Sequence, residues 1–272
     1  MTIIQAIILG IVQGLTEFIP VSSSAHLVLV PYLLDWSIDP DINFIFDVLV
    51  QVGTLVSVII YFRKELGVII TAFFTGILNK HPFKDPQAQL GWYLILATIP
   101  AALVGIALID QVEQAFNSPI ATAIFLIFTA LLLTGAELIG KRIRPLDKLN
   151  WIDAIWIGFF QAISIFPGIS RSGATISGGL FRNLDRKSAA SFSFLMSIPV
   201  MIAAGLVASL DLFQTPNLSQ MLIPIIIGFI TSAIVGYLAI RWLLAYLAHR
   251  SLYVFAIYCA VLGLLVIISV LV

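Results

Sequence analysis

The sequence predicts an all-α polytopic membrane protein with six transmembrane helices and two re-entrant helix-loop-helix hairpins, arranged as an inverted-topology repeat. Composition is the first observation: 60% of the 272 residues are hydrophobic and 10% are charged, whereas a soluble domain has about 25% charged residues. The second is six apolar stretches close to the ~20 residues that a helix needs to cross a bilayer. The third is two apolar regions that a proline interrupts. A net charge of zero without basic clusters excludes nucleic acid as the main partner.

The apolar segments follow one another along the chain in a definite order. Regions 3–34 and 152–182 are broken near Pro20 and Pro167 by serine-rich or glycine-rich runs. An unwound backbone at membrane depth is tolerated only where protein or a wet cavity receives it, so both regions predict re-entrant hairpins. The charge-flanked segment 66–79 predicts a helix along the interface. The predicted spans are 45–62, 92–109, 120–140, 189–210, 222–243 and 253–272.

The basic residues orient these segments and divide the chain. On this map 13 of the 14 Lys and Arg residues fall on one side, which the positive-inside rule makes cytoplasmic. The charged residues of the opposite loops are all acidic: Asp35, Asp39, Asp41, Asp110, Glu113 and Asp211. The first hairpin then opens from outside and the second from the cytoplasm. We therefore predict one membrane domain of two inverted repeats, 1–147 and 148–272, and locate the site at the hairpins, near the midplane.

The first hairpin carries a polar cluster around its break. Gln13 and Glu17 are four residues apart on one helical face, and Ser23 and His26 are three apart on the next helix. A carboxylate, a hydroxyl and an imidazole supply an acid, a nucleophile and a base. The alternative is that Ser22, Ser23 and Ser24 only cap the half-helix while Glu17 and His26 lie in the wet interface.

The second hairpin carries Arg171, the one basic residue outside the cytoplasmic groups. An arginine in the bilayer costs at least ~2.5 kcal/mol, so it needs an anionic partner. Glu17 in a structural ion pair is one candidate. A diphosphate fits better, because a guanidinium binds phosphate with two hydrogen bonds. The residues expected to help bind it are Gln13, Ser22 and Ser24 of the first hairpin and Ser170, Ser172, Gly173 and Thr175 of the second.

Two segments together resemble the signatures of the bacterial undecaprenyl-diphosphatase, or bacitracin-resistance, family. They are Q-G-L-T-E-F-I-P-V-S-S-S-A-H at 13–26 and F-P-G-I-S-R-S-G-A-T-I-S-G-G at 166–179. The resemblance implies a multi-pass enzyme of the bacterial inner membrane that removes the terminal phosphate of undecaprenyl diphosphate. It also implies a site open to the extracytoplasmic side. The family's (Glu/Gln)xxxGlu element falls on Gln13 and Glu17, its Pro-x-Ser-Ser element on 20–23, its histidine on His26 and its arginine on Arg171.

These expectations assign roles but leave the nucleophile open. Ser23 is the predicted nucleophile and His26 the base, with Glu17 orienting His26 or holding Mg²⁺ or Ca²⁺; attack by His26 or by water is the alternative. Gln13 replaces a glutamate that some members have, which weakens a two-carboxylate metal site. No organic cofactor and a homodimer are further expectations. The competing function is a transporter or flippase for a lipid phosphate, because broken helices in inverted repeats also build transporters.

Overall fold

The described part of the chain is built from helices. The computed structural model describes residues 1–38, 40–116, 118–214 and 218–271. Within these ranges the helices are α1 Ile3–Thr16, α2 Ser23–Leu33, α3 Pro40–Tyr61, α4 Arg63–Leu78, α5 Pro86–Ala107, α6 Ile109–Phe116, α7 Pro119–Ile139, α8 Trp151–Ile163, α9 Arg171–Phe181, α10 Arg186–Gln214, α11 Leu218–Leu247 and α12 Tyr253–Leu271. A 3₁₀ turn at Leu146–Lys148 precedes α8.

Among the described residues, five helices are long and apolar enough to cross a membrane, and a bent pair counted as one span brings the number to six. The five stretches are Pro86–Ala107, Pro119–Ile139, Arg186–Leu206, Leu222–Leu247 and Tyr253–Val270. The bent pair is α3 and α4, which meet at 81°. If α3 crosses the bilayer, α4 then runs along its surface, as predicted for 66–79. The all-α polytopic membrane class is therefore confirmed.

Both predicted breaks are present, between α1 and α2 and between α8 and α9. The four half-helices have 14, 11, 13 and 11 residues. At 1.5 Å per residue the longest reaches only roughly 21 Å, short of a ~30 Å hydrocarbon layer. Among the predicted outside acids, Asp39 lies outside the described residues, and the side chains of Asp41, Glu113 and Asp211 are not described.

Helix contacts pair the two parts of the chain in a reciprocal way. α1 packs on α11 and α8 packs on α5, while α3 contacts both α10 and α11, and α7 contacts α12. Gly10 and Gly158 permit these close approaches. They open two similar stretches of sequence, G-I-V-Q-G at 10–14 and G-F-F-Q-A at 158–162. A Cβ on Gly10 would lie 2.8 Å from the Gly228 carbonyl oxygen, and one on Gly158 would lie 2.6 Å from that of Ala97. The division into repeats at 147 and 148 stays a prediction.

A buried carboxylate at the end of α7 ties three elements together at the predicted cytoplasmic side. Glu137 accepts hydrogen bonds from Arg142 at 2.7 Å and from Arg186, which begins α10, at 2.6 Å. The backbone N–H of Leu252, just before α12, donates to the same carboxylate at 2.9 Å. The side chain therefore joins α7 to the starts of α10 and α12.

A second buried carboxylate, Asp153 in the first turn of α8, joins the neighbouring loops through hydrogen bonds. Its oxygens lie 2.6 Å from both Arg144 and Arg182, and the Asn150 backbone N–H donates at 3.0 Å. Burial by itself raises the pKa of Asp153, but the hydrogen bonds from Arg144 and Arg182 outweigh it and hold the pKa below its ordinary value. Asp153 is therefore charged at neutral pH and fixes the start of the second hairpin.

Candidate functional site

Glu17 lies at the centre of a polar cluster between the two hairpins. It follows α1 directly, and Gln13 lies one turn earlier on the same helix. One carboxylate oxygen, Oε2, accepts hydrogen bonds from Gln13 Nε2 at 2.7 Å and from Ser23 Oγ at 2.6 Å. The other, Oε1, accepts one from Arg171 Nη2. Because Glu17 is buried, these donors take the place of water at both carboxylate oxygens.

A tight turn presents the serines of the first hairpin. Ser22 adopts a left-handed backbone conformation with φ of 69° and caps α2, its side chain accepting from the Ala25 N–H at 3.4 Å. Ser23 is thereby the first residue of α2, with its hydroxyl directed at Glu17. Ser24 Oγ lies 3.2 Å from Ser22 Oγ. The unpaired N–H groups of this helix start carry partial positive charge, which favours a bound anion.

The second hairpin supplies a matching helix start. Arg171 is the first residue of α9, and the Ser170 side chain caps that helix by accepting from the Gly173 N–H at 3.0 Å. Thr129 of α7 holds the preceding loop: it donates to the Gly168 carbonyl at 3.0 Å and accepts from the Ser170 N–H at 3.0 Å. Gly168 has φ of +99°, a conformation that favours glycine.

A cavity of about 190 Å³ lies where these two helix starts meet. Its polar wall consists of Glu17, Ser22, Ser23, Ser24, Gln51, Ser164, Ser170 and Arg171. A guanidinium and two helix N-termini directed at one small space form a site for an anion with several oxygens, such as a phosphate or diphosphate. Glu17 balances the charge of Arg171. The structural ion pair considered from sequence is therefore present.

Four residues predicted to bind substrate do not line this cavity. Gln13 lies behind Glu17, and Gly173 donates its N–H to the cap of its own helix. Ser172 Oγ contacts the Ile19 carbonyl at 3.4 Å. Thr175 Oγ1 lies 2.7 Å from the Arg171 carbonyl and 2.6 Å from the Ser193 hydroxyl. These side chains support the site from behind, while Ser22, Ser24 and Ser170 face it.

The predicted hydrogen-bonded pair of Ser23 and His26 is wrong in this structure. His26 Nδ1 lies 2.7 Å from the Ser22 carbonyl oxygen, and Nε2 lies 2.7 Å from the Tyr258 hydroxyl. A carbonyl can only accept, so Nδ1 carries a hydrogen and a neutral imidazole accepts from Tyr258 through Nε2. Helical side chains lean towards the N-terminus, so His26 reaches the carbonyl four residues back, and Ser23 donates to Glu17 instead.

Sequence reasoning missed several residues that complete the site. Tyr258 of α12 holds His26, with the two rings stacked at 5.7 Å, and Gln51 and Ser164 line the cavity. A polar residue within a predicted apolar span is a signal for Gln51, and Ser164 lies in the predicted second hairpin, two residues before the quoted segment 166–179. Nothing in the pattern of 253–272 distinguishes Tyr258 from an interfacial tyrosine, because its partner is more than two hundred residues away.

The donor set around Glu17 does not fit a resident divalent cation. Among the described residues there is no group of three or more His, Cys, Asp and Glu side chains that could hold a metal. Mg²⁺ and Ca²⁺ need six or more oxygen ligands, whereas Glu17 is the one carboxylate lining this cavity. Both of its oxygens already accept hydrogen bonds, and one of the donors is a cation. A cation here would have to displace Arg171.

The fold and the site together define an all-α polytopic membrane protein with a small polar cavity between two broken helix hairpins. Residues 6–265 match the family described as Bacitracin resistance protein BacA. The chain is 41% identical over 271 residues to a protein named undecaprenyl-diphosphatase from Chloroherpeton thalassium, covering 97% of this chain and 95% of that one. Proteins of the same name from Mycobacterium sp. (strain KMS) and Moorella thermoacetica are 40% and 41% identical, over 98% of this chain and 96% and 97% of theirs. The chain therefore belongs to the BacA family.

Proposed function

We propose that the chain is an undecaprenyl-diphosphatase, which hydrolyses undecaprenyl diphosphate to undecaprenyl phosphate and orthophosphate and so returns the carrier lipid to cell-wall synthesis. One observation carries this proposal for the site: a serine hydroxyl bonded to a carboxylate lies beside an arginine at the junction of two helix N-termini. A transporter would use the arginine and the helix ends. It would have no use for an activated hydroxyl.

Binding begins with an exchange of partners. The diphosphate enters the cavity with its terminal phosphate at the starts of α2 and α9, and Arg171 turns from Glu17 to the phosphate oxygens. A guanidinium can offer two N–H groups to one phosphate. The exchange releases Glu17 from Arg171 while Ser23 still donates to it, so the carboxylate stays in position to accept the serine proton.

Ser23 is the proposed nucleophile and Glu17 its base. Ser23 Oγ forms a bond to the terminal phosphorus while its proton passes to Glu17, and the bridging P–O bond breaks with its electron pair going to the departing polyprenyl phosphate. That leaving group takes up the proton. Water then attacks the phosphoserine, losing a proton to Glu17, and the P–Oγ bond breaks; Glu17 returns the proton to Ser23 as orthophosphate leaves. Arg171 and the helix ends stabilise the charge on the equatorial oxygens throughout.

His26 has an indirect part in this scheme. Its Nδ1–H holds the Ser22 carbonyl, and Ser22 forms the left-handed turn that positions Ser23. The imidazole is therefore a positioning group rather than the base. A requirement for Mg²⁺ or Ca²⁺ stays a prediction, and no step is derived through a metal. A homodimer also stays a prediction.

The decisive experiment is hydrolysis by the purified full chain. In detergent micelles, wild-type protein with undecaprenyl diphosphate is expected to release one orthophosphate per lipid, and Ser23→Ala is expected to bind the lipid without turnover. Ser57→Ala is the matched control, because Ser57, also on α3, donates to the Ala233 carbonyl at 2.7 Å and does not line the cavity. Movement of intact lipid across proteoliposomes without phosphate release would contradict hydrolysis and favour the flippase alternative.

The proposed location is the bacterial inner membrane, with the cavity open to the extracytoplasmic side. Support comes from the basic residues at 63–64 and 141–148, which the positive-inside rule expects on the cytoplasmic side. Single cysteines replacing Asp35 and Asp147 in a Cys259→Ser background test this arrangement. An impermeant maleimide should label Cys at position 35 in intact cells and Cys at position 147 only after lysis; the reverse pattern would invert the topology.

A further inference from the structure

A second, wholly apolar groove adjoins the polar cavity. It has a volume of about 500 Å³, and α5, α7, α8 and the loop after α8 line it. The residues that define it are Val104, Ile124, Phe125, Phe128, Phe159 and Ile169. We call this space the apolar groove. No residue of its wall carries a charged or hydrogen-bonding side chain, in contrast to the serine-rich cavity next to it.

The groove and the polar cavity share one wall. The loop between α8 and α9 lines both spaces: Ile169 faces both, Ser164 and Ile165 face the cavity, and Phe166 faces the groove. Phe166 packs on Phe125 with ring centroids 5.3 Å apart, which holds the loop against α7. Ile169 precedes Ser170 and Arg171, so the groove begins two residues from the proposed phosphate-binding arginine.

The groove is open laterally, towards lipid, and lies in the outer half of the membrane. Ile124, Phe128 and Phe159 are 53%, 39% and 57% exposed. Val104 lies near the end of α5, which starts after the basic residues of the 63–84 segment. α7 runs back towards the basic residues at 141–148, so Ile124, near its beginning, is on the same outer side. A ligand in the groove would therefore reach it from the outer leaflet.

We propose that the apolar groove binds the first isoprenoid units of the polyprenyl tail while the diphosphate occupies the adjoining cavity. The inference rests on the proposed function and specifies where its lipid substrate lies. A molecule with an anionic head joined directly to a long unsaturated hydrocarbon matches a polar cavity joined directly to an apolar groove. A phospholipid fits less well, because its glycerol ester oxygens would lie against Phe166 and Ile169 with no donor to meet them.

The groove contributes shape and orientation rather than hydrophobic driving force. Lipid tails around the protein are as apolar as the groove itself, so moving the tail from bilayer to groove removes almost no water. The gain is that a tail held beside Ile169 orients the terminal phosphate for attack by Ser23. Obstruction of the groove should therefore lower turnover of long-chain substrate while leaving a substrate without a long tail unaffected.

Filling the groove tests the proposal. Val104→Trp projects an indole into the groove from a half-buried position, and Ile106→Trp, two residues along α5 and 78% exposed, adds the same bulk outside it. With undecaprenyl diphosphate, Val104→Trp is expected to lower kcat/KM about tenfold or more, the scale of steric discrimination in apolar pockets. Ile106→Trp should match wild type. With isopentenyl diphosphate, which has a single isoprene unit, all three proteins should be equal.

A covalent probe gives a readout that does not depend on those variants. A polyprenyl diphosphate with a diazirine in its second isoprene unit should label peptides of α5, α7 and the end of α8 after illumination. Labelling confined to other helices, or unchanged kinetics of Val104→Trp with the long substrate, would overturn the groove as the tail site. Failure of wild type to release phosphate from either substrate would instead refute the proposed function, with labelling then reporting lipid binding alone.

Discussion

Replacement of Glu17 by glutamine separates the two candidate bases for Ser23. The amide keeps the shape of the side chain but removes the negative charge that accepts from Ser23 Oγ at 2.6 Å. A positioned general base contributes about 10²- to 10⁴-fold to a rate, so Glu17→Gln should lower kcat by that factor, or about 2.7 to 5.4 kcal/mol in activation free energy. Orthophosphate release from undecaprenyl diphosphate under saturating substrate measures it.

The same substitution in a Ser23→Ala background gives the sharper test. If Glu17 acts on the reaction through the serine proton, the double variant should be scarcely slower than Ser23→Ala alone, since groups that act as a unit are strongly non-additive. Binding of undecaprenyl phosphate should be measured for each variant, because Glu17→Gln also frees Arg171. A double variant a further hundredfold slower, with binding intact, would refute Glu17 as the base of Ser23.

Three other substitutions test supporting parts of the structure. Arg171→Lys should lose most activity although it keeps the charge, since an ammonium cannot form the planar fork; phosphate release decides, and full activity would remove Arg171 from the site. Tyr258→Phe loses the hydrogen bond to His26 Nε2 at 2.7 Å, so kcat should fall about two- to tenfold with KM unchanged; a change in KM alone would point to a packing role. Asp153→Asn should destabilise the protein by about 2 to 3 kcal/mol in SDS-titration unfolding. That is below the ~3 to 5 kcal/mol of a fully buried pair, because its arginines are 26% and 36% exposed. Since the pKa of Asp153 is lowered by folding, this contribution is present above its ordinary pKa of 3.8 and is lost as pH falls through the lower folded value; an equal acid dependence in Asp153→Asn would contradict it.

Apolar length and proline placement were enough to predict both breaks and every described helix except the short α6. A span leaves a run of about 20 apolar residues in the sequence, and a broken hairpin leaves two short runs around a proline. The polar cluster of Gln13, Glu17 and Ser23 was likewise predictable from spacing, because all three belong to one hairpin. The ion pair with Arg171 appeared only as one of two alternatives, since spacing cannot join residues 154 positions apart.

The orientation of His26 could not be predicted from spacing. Its position three residues after Ser23 puts both on one helical face, but the side-chain torsions decide which neighbour the imidazole meets. Two partners decide them here: the Ser22 carbonyl, which the left-handed turn leaves exposed to Nδ1, and Tyr258 on the last helix. The first depends on a backbone conformation rare for serine, and the second on tertiary packing. Neither can be predicted from the spacing of nearby residues.

The pairing of the two hairpins explains how a charged site can form within a membrane protein. An isolated arginine there is costly, and so is an isolated carboxylate. Each hairpin supplies one of the two, so the charges of Arg171 and Glu17 balance and both carboxylate oxygens accept hydrogen bonds. Diphosphate, with more negative charge than Glu17, can replace it at Arg171. In the proposed reaction the last group to leave Arg171 is orthophosphate, and the return of Arg171 to Glu17 favours its release. The ion pair that stabilises the fold is then also the element that resets the site after each turnover.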